Sequence, residues 1–165
     1  IWGADMVKLL QKLLEEGLMD RQGLLKEPYF TKGIRIGDVL VTKEAVRAVQ
    51  LAKGAIAAGI VILTESYGIR LSDISKVVLA GGFGYYLDPK AAAAIGLLPK
   101  ELTDRTVTGG NTALSGAALV GNRMLTGQLR AWDDLRRWHE LQIQILNLAE
   151  QVKFTETFLK KMDFC

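Results

Sequence analysis

The sequence predicts an α/β domain whose core strands are parallel and covered by helices. Between residues 43 and 125 the patterns alternate helix, strand, helix, strand, helix, and strands joined by helices pair in parallel with right-handed crossovers. Both predicted strands run into glycines directly before a helix, at Gly81 and at Gly109. Ligands bind at the carboxyl ends of the strands in open α/β sheets, so we expect the site at this edge.

Length and composition fit one globular domain. The 165 residues are 49% hydrophobic and 24% charged and include three prolines, a balance typical of a folded chain. The net charge is only +3, and the basic residues are scattered except for Arg130, Arg136, Arg137 and the Lys160–Lys161 pair, which favours a solvated surface over a nucleic-acid interface. We expect no nucleic-acid partner.

The cysteine count and the hydropathy pattern bear on localisation. Cys165 is the single cysteine, so no internal disulfide and no Cys/His metal cluster are expected, and a reducing cytoplasm is the expected compartment. We identify no signal peptide and no uninterrupted membrane span. The chain opens on Ile1 without an initiator Met, which indicates a piece of a longer protein; the resemblance described below implies that it is a C-terminal fragment.

The first 42 residues predict a helix followed by a small hairpin. Residues 4–16 carry an apolar stripe at helical spacing, and Gly17 is a plausible helix stop. Residues 20–33 are polar and interrupted by Gly23, Pro28 and Gly33, which favours a loop or a hairpin. Short strands at 34–36 and 39–41 flank a turn.

A long helix is predicted from residue 43 to about residue 67, with Thr42 as its N-cap. Residues 55–64 are apolar all round, which predicts burial on every side, and the many small residues predict close packing on a sheet. The polar side chains of the first half share one face: Lys43, Arg47, Gln50 and Lys53.

The central motif is a strand at 76–80 that runs into a turn with three glycines, at Gly81, Gly82 and Gly84. Glycine there allows the backbone to approach a ligand more closely than any side chain permits. Asp88 then caps a helix over 89–95. After a loop, a strand at 105–108 leads to Gly110, and Asn111 caps a helix over 112–125 that we expect to pack tightly on the sheet.

The tail has two interpretations. Residues 131–141 favour a helix with Trp132 and Trp138 in the core, whereas 142–145 alternate polar and apolar residues, as in a strand. A helix continuing through Val152 is the competing interpretation. Residues 153–162 again favour a helix.

Known catalytic and metal motifs are absent from the sequence. It has no P-loop, no third glycine of a dinucleotide fingerprint, no zinc-protease helix and no nucleophile elbow. The lone His139 has no nucleophile near it in sequence. We therefore predict no catalytic residue and no metal ligand.

These residues resemble the superfamily of actin, sugar kinases and heat-shock chaperones, in which two ribonuclease-H-like halves close on a nucleotide. The run from Val78 to Gly84 is similar to the superfamily's adenosine-binding Gly-Gly turn. Gln50 and Lys53 have the spacing of a Glu and a Lys that contact ribose and adenine in the chaperones. The resemblance implies a ribonuclease-H-like second half with a mixed sheet and parallel core strands.

A closer resemblance is to the ATP-dependent reductive activators of corrinoid proteins. Those proteins carry an N-terminal [2Fe–2S] ferredoxin domain and a C-terminal ATPase-like domain. Tyr85 departs from the family, which often has Asn there. The similar runs lie at residues 17–23, 49–60, 80–88, 95–99 and 110–117, and in the ending with Phe154, Phe158, Met162, Asp163 and Phe164.

The resemblance implies a function for the whole protein. It implies ATP or ADP with Mg²⁺ as the nucleotide, and an iron–sulfur cluster only in the missing N-terminal region. ATP would help drive an electron onto a cobalt(II) corrinoid protein, restoring cobalt(I). The implied cofactor-binding residues are Gln50, Lys53, Gly81, Gly82, Phe83, Gly84, Gly110 and Asn111.

The resemblance also divides the chain. Residues 1–165 would form a single domain, in which 1–42 begin a subdomain, 43–125 form the nucleotide-site core and 126–165 are a C-terminal extension. The expected partners are the corrinoid protein, the protein's own ferredoxin and first ATPase half, and a homodimer mate. One alternative is an interaction or dimerisation module with vestigial nucleotide binding; half of a sugar or acyl kinase is another.

Overall fold

The computed structural model describes residues 3–128 and 144–165. The predictions for 131–141, for Trp132, Trp138 and His139, and for the start of 142–145 lie outside these residues. In chain order the elements are α1 (Gly3–Glu15), α2 (Tyr29–Lys32), β1 (Ile34–Ile36), β2 (Val39–Val41), α3 (Lys43–Tyr67), β3 (Val77–Ala80), α4 (Gly81–Tyr86), α5 (Pro89–Ala94), β4 (Thr106–Gly110), α6 (Thr112–Leu125) and α7 (Phe154–Lys160), with 3-10 turns at Leu71–Asp73, Lys100–Arg105 and Leu148–Glu150.

The hydrophobic core lies between α1, α5 and the segments around them. The buried face of α1 consists of Ala4, Val7, Leu10 and Leu13, which follow one another about one helical turn apart. Val7, Leu10 and Leu13 pack with Ala91 of α5 and with Ile95, which directly follows α5. The predicted helix at 4–16 is confirmed to within one residue. Further members of the core are Met19, Leu25, Ile34, Val41, Val46, Leu87, Ala92, Leu97, Leu98 and Phe164.

The long helix α3 begins and ends where the sequence predicted. The Thr42 hydroxyl oxygen accepts a hydrogen bond from the Ala45 N–H at 3.3 Å, which confirms it as the N-cap. The predicted burial of 55–64 on every side is wrong, since Ile56 and Leu63 are exposed. The core reaches α3 from one side only, so its opposite apolar face stays open to solvent.

The small residues of α3 accommodate the C-terminal segment and not a sheet, which corrects the packing prediction. A Cβ added at Gly54 would lie 3.2 Å from Met162, and one at Gly59 would lie 3.3 Å from Leu148. Glycine at these positions therefore allows the tail to lie close against the helix.

The strands form two separate sheets among the described residues, not one mixed sheet. β1 and β2 pair antiparallel, with Ile34 opposite Val41. β3 and β4 pair in parallel, with Val78 opposite Val107. The parallel core pairing is confirmed, and the crossover through α4 and α5 explains it, since a tight hairpin cannot join parallel strands.

Two further predictions are corrected around the parallel sheet. The expected glycine turn is the short helix α4, which follows β3 without a connecting loop, and Gly109 and Gly110 belong to β4 itself. Tight packing of α6 is also wrong, because none of its residues is buried. The sheet leaves Val78 and Val107 exposed on its outer face.

The tail returns to α3. Residues 144–147 form neither of the two structures considered for this stretch, whereas α7 confirms the helix expected within 153–162. The rings of Phe154 and Phe158 stack with centroids 5.9 Å apart. Met162 and Phe164 are buried, and the Phe164 N–H donates to the Arg21 carbonyl at 2.8 Å.

Candidate functional site: the glycine edge of the parallel sheet

The carboxyl ends of β3 and β4 meet at one edge. Ala80 pairs with Gly110, with a register irregularity just before this pair. Gly81 and Gly82 follow Ala80 in α4, and Asn111 follows Gly110 at the start of α6. The structure therefore brings together the glycines of both strand ends, at the position where parallel sheets bind ligands. We call these five residues, 80–82 and 110–111, the glycine edge.

The backbone at Gly81 and Gly82 is open on the side that a side chain would occupy. A Cβ added at either residue would meet no heavy atom within 4 Å. Gly81 also has φ +85°, a conformation that favours glycine. A bound group could thus reach this stretch of main chain directly.

Gly84 and Phe83 are placed differently from the open glycines. A Cβ on Gly84 would lie 3.0 Å from the Leu79 carbonyl carbon, so the missing side chain allows α4 to fold back onto β3. The Phe83 ring covers Gly3 of α1, 3.0 Å from where a Cβ would lie. Both residues fix α4 in place and present no polar side chain.

Asn111 and Tyr85 border the glycine edge. The Asn111 side chain accepts from the Leu114 N–H at 3.1 Å and so caps α6 as predicted. The exposed Tyr85 ring lies 3.7 Å from the position of a Cβ on Gly110. Its ring also meets Tyr86 edge to face, with centroids 4.7 Å apart. No sequence spacing pairs a residue of α4 with the end of β4; only the parallel register does.

Gln50 and Lys53 are not part of this edge in the structure; both are buried on α3. The Gln50 amide donates to the Gln22 carbonyl at 2.8 Å. The Lys53 ammonium donates to the carbonyls of Lys161, at 2.8 Å, and of Asp163. These bonds connect α3 to the loop after α1 and to the tail.

The environment of Lys53 disfavours its charge. Burial lowers the pKa of Lys53 from the usual 10.5 to about 8, although electrostatic attraction to Cys165 and to Asp163 opposes this effect. The Phe164 ring faces the ammonium, 5.2 Å from its centroid, and offers a weak cation–π contact. Within the described residues this is the single lysine side chain with almost no exposure.

Two features bear on metals and membranes. No group of three acidic, histidine or cysteine side chains with metal-binding geometry occurs in the part of the chain that is described. Over the same residues, α3 alone has the length and apolar composition that a membrane span requires, two criteria that buried core helices also meet.

The fold and the glycine edge define the class of protein: an α/β domain built to present bare main chain at the end of a parallel sheet. Comparison with known families specifies it further. The model of the family described as the C-terminal domain of RACo, the ASKHA domain, matches residues 1–165, and the chain belongs to this family. The resemblance found in the sequence is thereby confirmed.

Known relatives agree with this assignment. The corrinoid activation enzyme RamQ of Eubacterium limosum is 49% identical over 82 residues, which are 50% of this chain and 14% of that protein. A solved structure, the reductive activator for corrinoid, iron-sulfur protein, matches 96% of this chain with a TM-score of 0.76 and 25% identity. The match covers 27% of that structure's chain. The chain thus spans only a small part of these relatives.

Proposed function

We propose that this chain is the adenosine-binding C-terminal part of an ATP-dependent activator. The whole protein would help reduce a cobalt(II) corrinoid protein to cobalt(I), with electrons from an iron–sulfur domain that lies outside this chain. The names of the relatives support the corrinoid substrate. The observation that carries the nucleotide role is the open main chain of Gly81 and Gly82 beside Gly110.

The glycine edge has a chemistry that fits an adenylate. Main-chain N–H groups at the start of α4 are donors, and no side chain stands over them. The exposed Tyr85 ring next to Gly110 offers an apolar face to a base. Phe83 and Gly84 would hold α4 in position, and Asn111 would orient the first amides of α6. When bound with Mg²⁺, ATP supplies the free energy that the uphill electron transfer needs.

The roles of Gln50 and Lys53 stay predictions from the resemblance. Both side chains donate to main-chain carbonyls of the loop after α1 and of the tail. Contact with ribose or adenine would require each of them to leave these partners. A nucleotide effect of Lys53 variants alone would therefore indicate that the tail moves.

The test is a nucleotide titration of the intact activator carrying Gly82→Val. The φ of Gly82 suits any residue and an added Cβ would meet no heavy atom within 4 Å, so the variant should fold but block close approach of a ligand. We expect affinity for an ATP analogue to fall at least about tenfold, an amount near 1.4 kcal/mol. Ala52→Val, at an exposed position of α3, is the matched control. Equal affinities in both variants would contradict the proposal.

A second candidate function is docking, and a separate observation supports it. Parallel sheets almost always have both faces covered, yet Val78 and Val107 are exposed on the outer face of β3–β4 and no residue of α6 is buried. We propose that the preceding part of the same polypeptide, the first ATPase half, covers this surface. The apolar side chains concerned are Val78, Val107, Leu114, Leu119, Val120 and Met124.

Val107→Glu and Met124→Glu test this docking. In the intact activator we expect each to expose the domain boundary to limited proteolysis and to lower the melting temperature, because a charge would enter a buried interface. Leu159→Glu, exposed on α7, is the control. If the two variants instead abolish dimerisation or binding to the corrinoid protein and leave the domain boundary protected, the surface belongs to another molecule.

A further inference from the structure

An open cavity lies between α1, the loop after it, α5 and the 3-10 turn Lys100–Arg105, and none of its lining residues belongs to the glycine edge. Its volume is about 840 Å³, within the range of small-molecule sites. The cavity has a mixed lining of apolar and charged side chains. Leu14, Met19, Ala93 and Ala94 are buried or half-buried, and we call them its floor; the charged side chains are more exposed and form its rim.

Four cationic side chains converge on this cavity: Arg21, Lys26, Lys90 and Lys100. In the described residues none of the four makes an ion pair or a side-chain hydrogen bond. Lys90 comes one turn before Ala94 on the same face of α5. The Lys26 ammonium lies 3.7 Å from where a Cβ of Gly17 would be. It therefore lies next to a glycine, at a part of the cavity lining that has no side chain.

The acidic groups at the rim have other partners. Glu15 pairs with Lys12 at 2.9 Å and accepts from Gln11 at 2.7 Å. Asp20 accepts from the Leu24 N–H at 2.8 Å. Neither carboxylate bonds to any of the four cations. An anion that binds the folded state could pair with these cations and would thereby stabilise the fold.

We propose that this cationic cavity binds a small organic polyanion, a molecule with two or more phosphate or carboxylate groups on an apolar body. The cations lie on three different segments and match several anionic groups at once, whereas the floor matches an apolar body. The proposal does not depend on nucleotide binding at the glycine edge, since the two sites share no residue.

The test uses the intact protein and calorimetric titration with two probes, pyrophosphate and citrate, with glycerol as a neutral comparison. We expect both anions to bind and to raise the melting temperature beyond the effect of NaCl at equal ionic strength. Lys90→Glu and Lys100→Glu should each weaken binding at least about fivefold, because a like charge enters the site. Lys76→Glu, exposed and outside the cavity, should weaken binding less than about twofold.

Three results would overturn the proposal. The first is that neither pyrophosphate nor citrate binds. The second is equal weakening by Lys76→Glu, which would indicate attraction to the overall charge. The third is capture of a polyglutamate peptide without binding of the small anions, which would assign the cavity to a protein partner. Circular dichroism of the variants verifies folding, and unchanged affinity of Lys90→Glu for an ATP analogue would keep the two sites separate.

Discussion

Lys53 should make the stability of this protein depend on pH in a direction opposite to that of a lysine in a salt bridge. Its pKa is about 8 in the folded protein and 10.5 without burial. Below pH 8 both states carry the proton, so the penalty for burying the charge is fully present. Between pH 8 and 10.5 the folded state releases its proton first and the unfolded state binds more protons, so stability rises with pH.

The size of the effect follows from the same two values. At about 1.4 kcal/mol for each pH unit between them, the contribution of Lys53 to the free energy of unfolding rises by up to about 3 kcal/mol. The neutral amine still carries two N–H groups for the carbonyls of Lys161 and Asp163. Deprotonation therefore removes the penalty and keeps the contacts.

Lys53→Met isolates this contribution, because methionine has an unbranched side chain only one heavy atom shorter and cannot titrate. We expect the difference in free energy of unfolding, wild type minus variant, to increase between pH 7 and pH 10 by about 1–3 kcal/mol. Urea denaturation at a series of pH values measures it. Lys32→Met, at an exposed lysine, should show a constant difference. A constant or decreasing difference for Lys53→Met would refute the reasoning.

Three further predictions concern packing and capping, and each is checked by chemical denaturation. Asp88→Ala should cost about 1 kcal/mol, because the Asp88 carboxylate accepts from the N–H of Lys90 at 2.8 Å; an unchanged midpoint would contradict this role. Gly84→Ala should cost about 1–3 kcal/mol, since the new Cβ would lie 3.0 Å from the Leu79 backbone; Gly116→Ala, with open space, should not destabilise. Leu10→Ala should cost about 2–5 kcal/mol, because Leu10 is fully buried in the core, and Leu24→Ala, half exposed, should cost far less.

Helices α3, α5 and α6 were predictable from sequence because each begins at a local capping residue, whereas α2 lies in a stretch where no helix was expected. Thr42, Asp88 and Asn111 each cap the helix that follows. Each side chain accepts a hydrogen bond from a main-chain N–H in the first turn, as expected. Capping depends on residues two or three positions apart, which sequence reasoning can see. The short strands at 34–36 and 39–41 were predictable for the same reason.

The glycine run after β3 could not be assigned from local preference. Glycine is a poor helix former, so the run was interpreted as a turn. The structure forms α4 there, because the missing side chain of Gly84 allows the helix to contact Leu79. Tertiary packing overrode the intrinsic preference, and the open backbone is confined to Gly81 and Gly82.

The surroundings of Lys53 were out of reach for sequence reasoning. The spacing of Gln50 and Lys53 predicts a shared face, but their partners lie 28 and 108 residues away in the chain. The cationic cavity is similar, since Arg21, Lys26, Lys90 and Lys100 have no common spacing. Only the fold brings these groups together.

The anchoring of the tail by Lys53 has a consequence for sequence variation. The acceptors are main-chain oxygens of residues 161 and 163, and every amino acid provides such an oxygen. Side chains at these two positions can therefore change without loss of the contact, whereas inserting or deleting one residue between Phe158 and Phe164 would move the oxygens out of reach. Relatives that share this anchor should vary in composition there but keep the spacing.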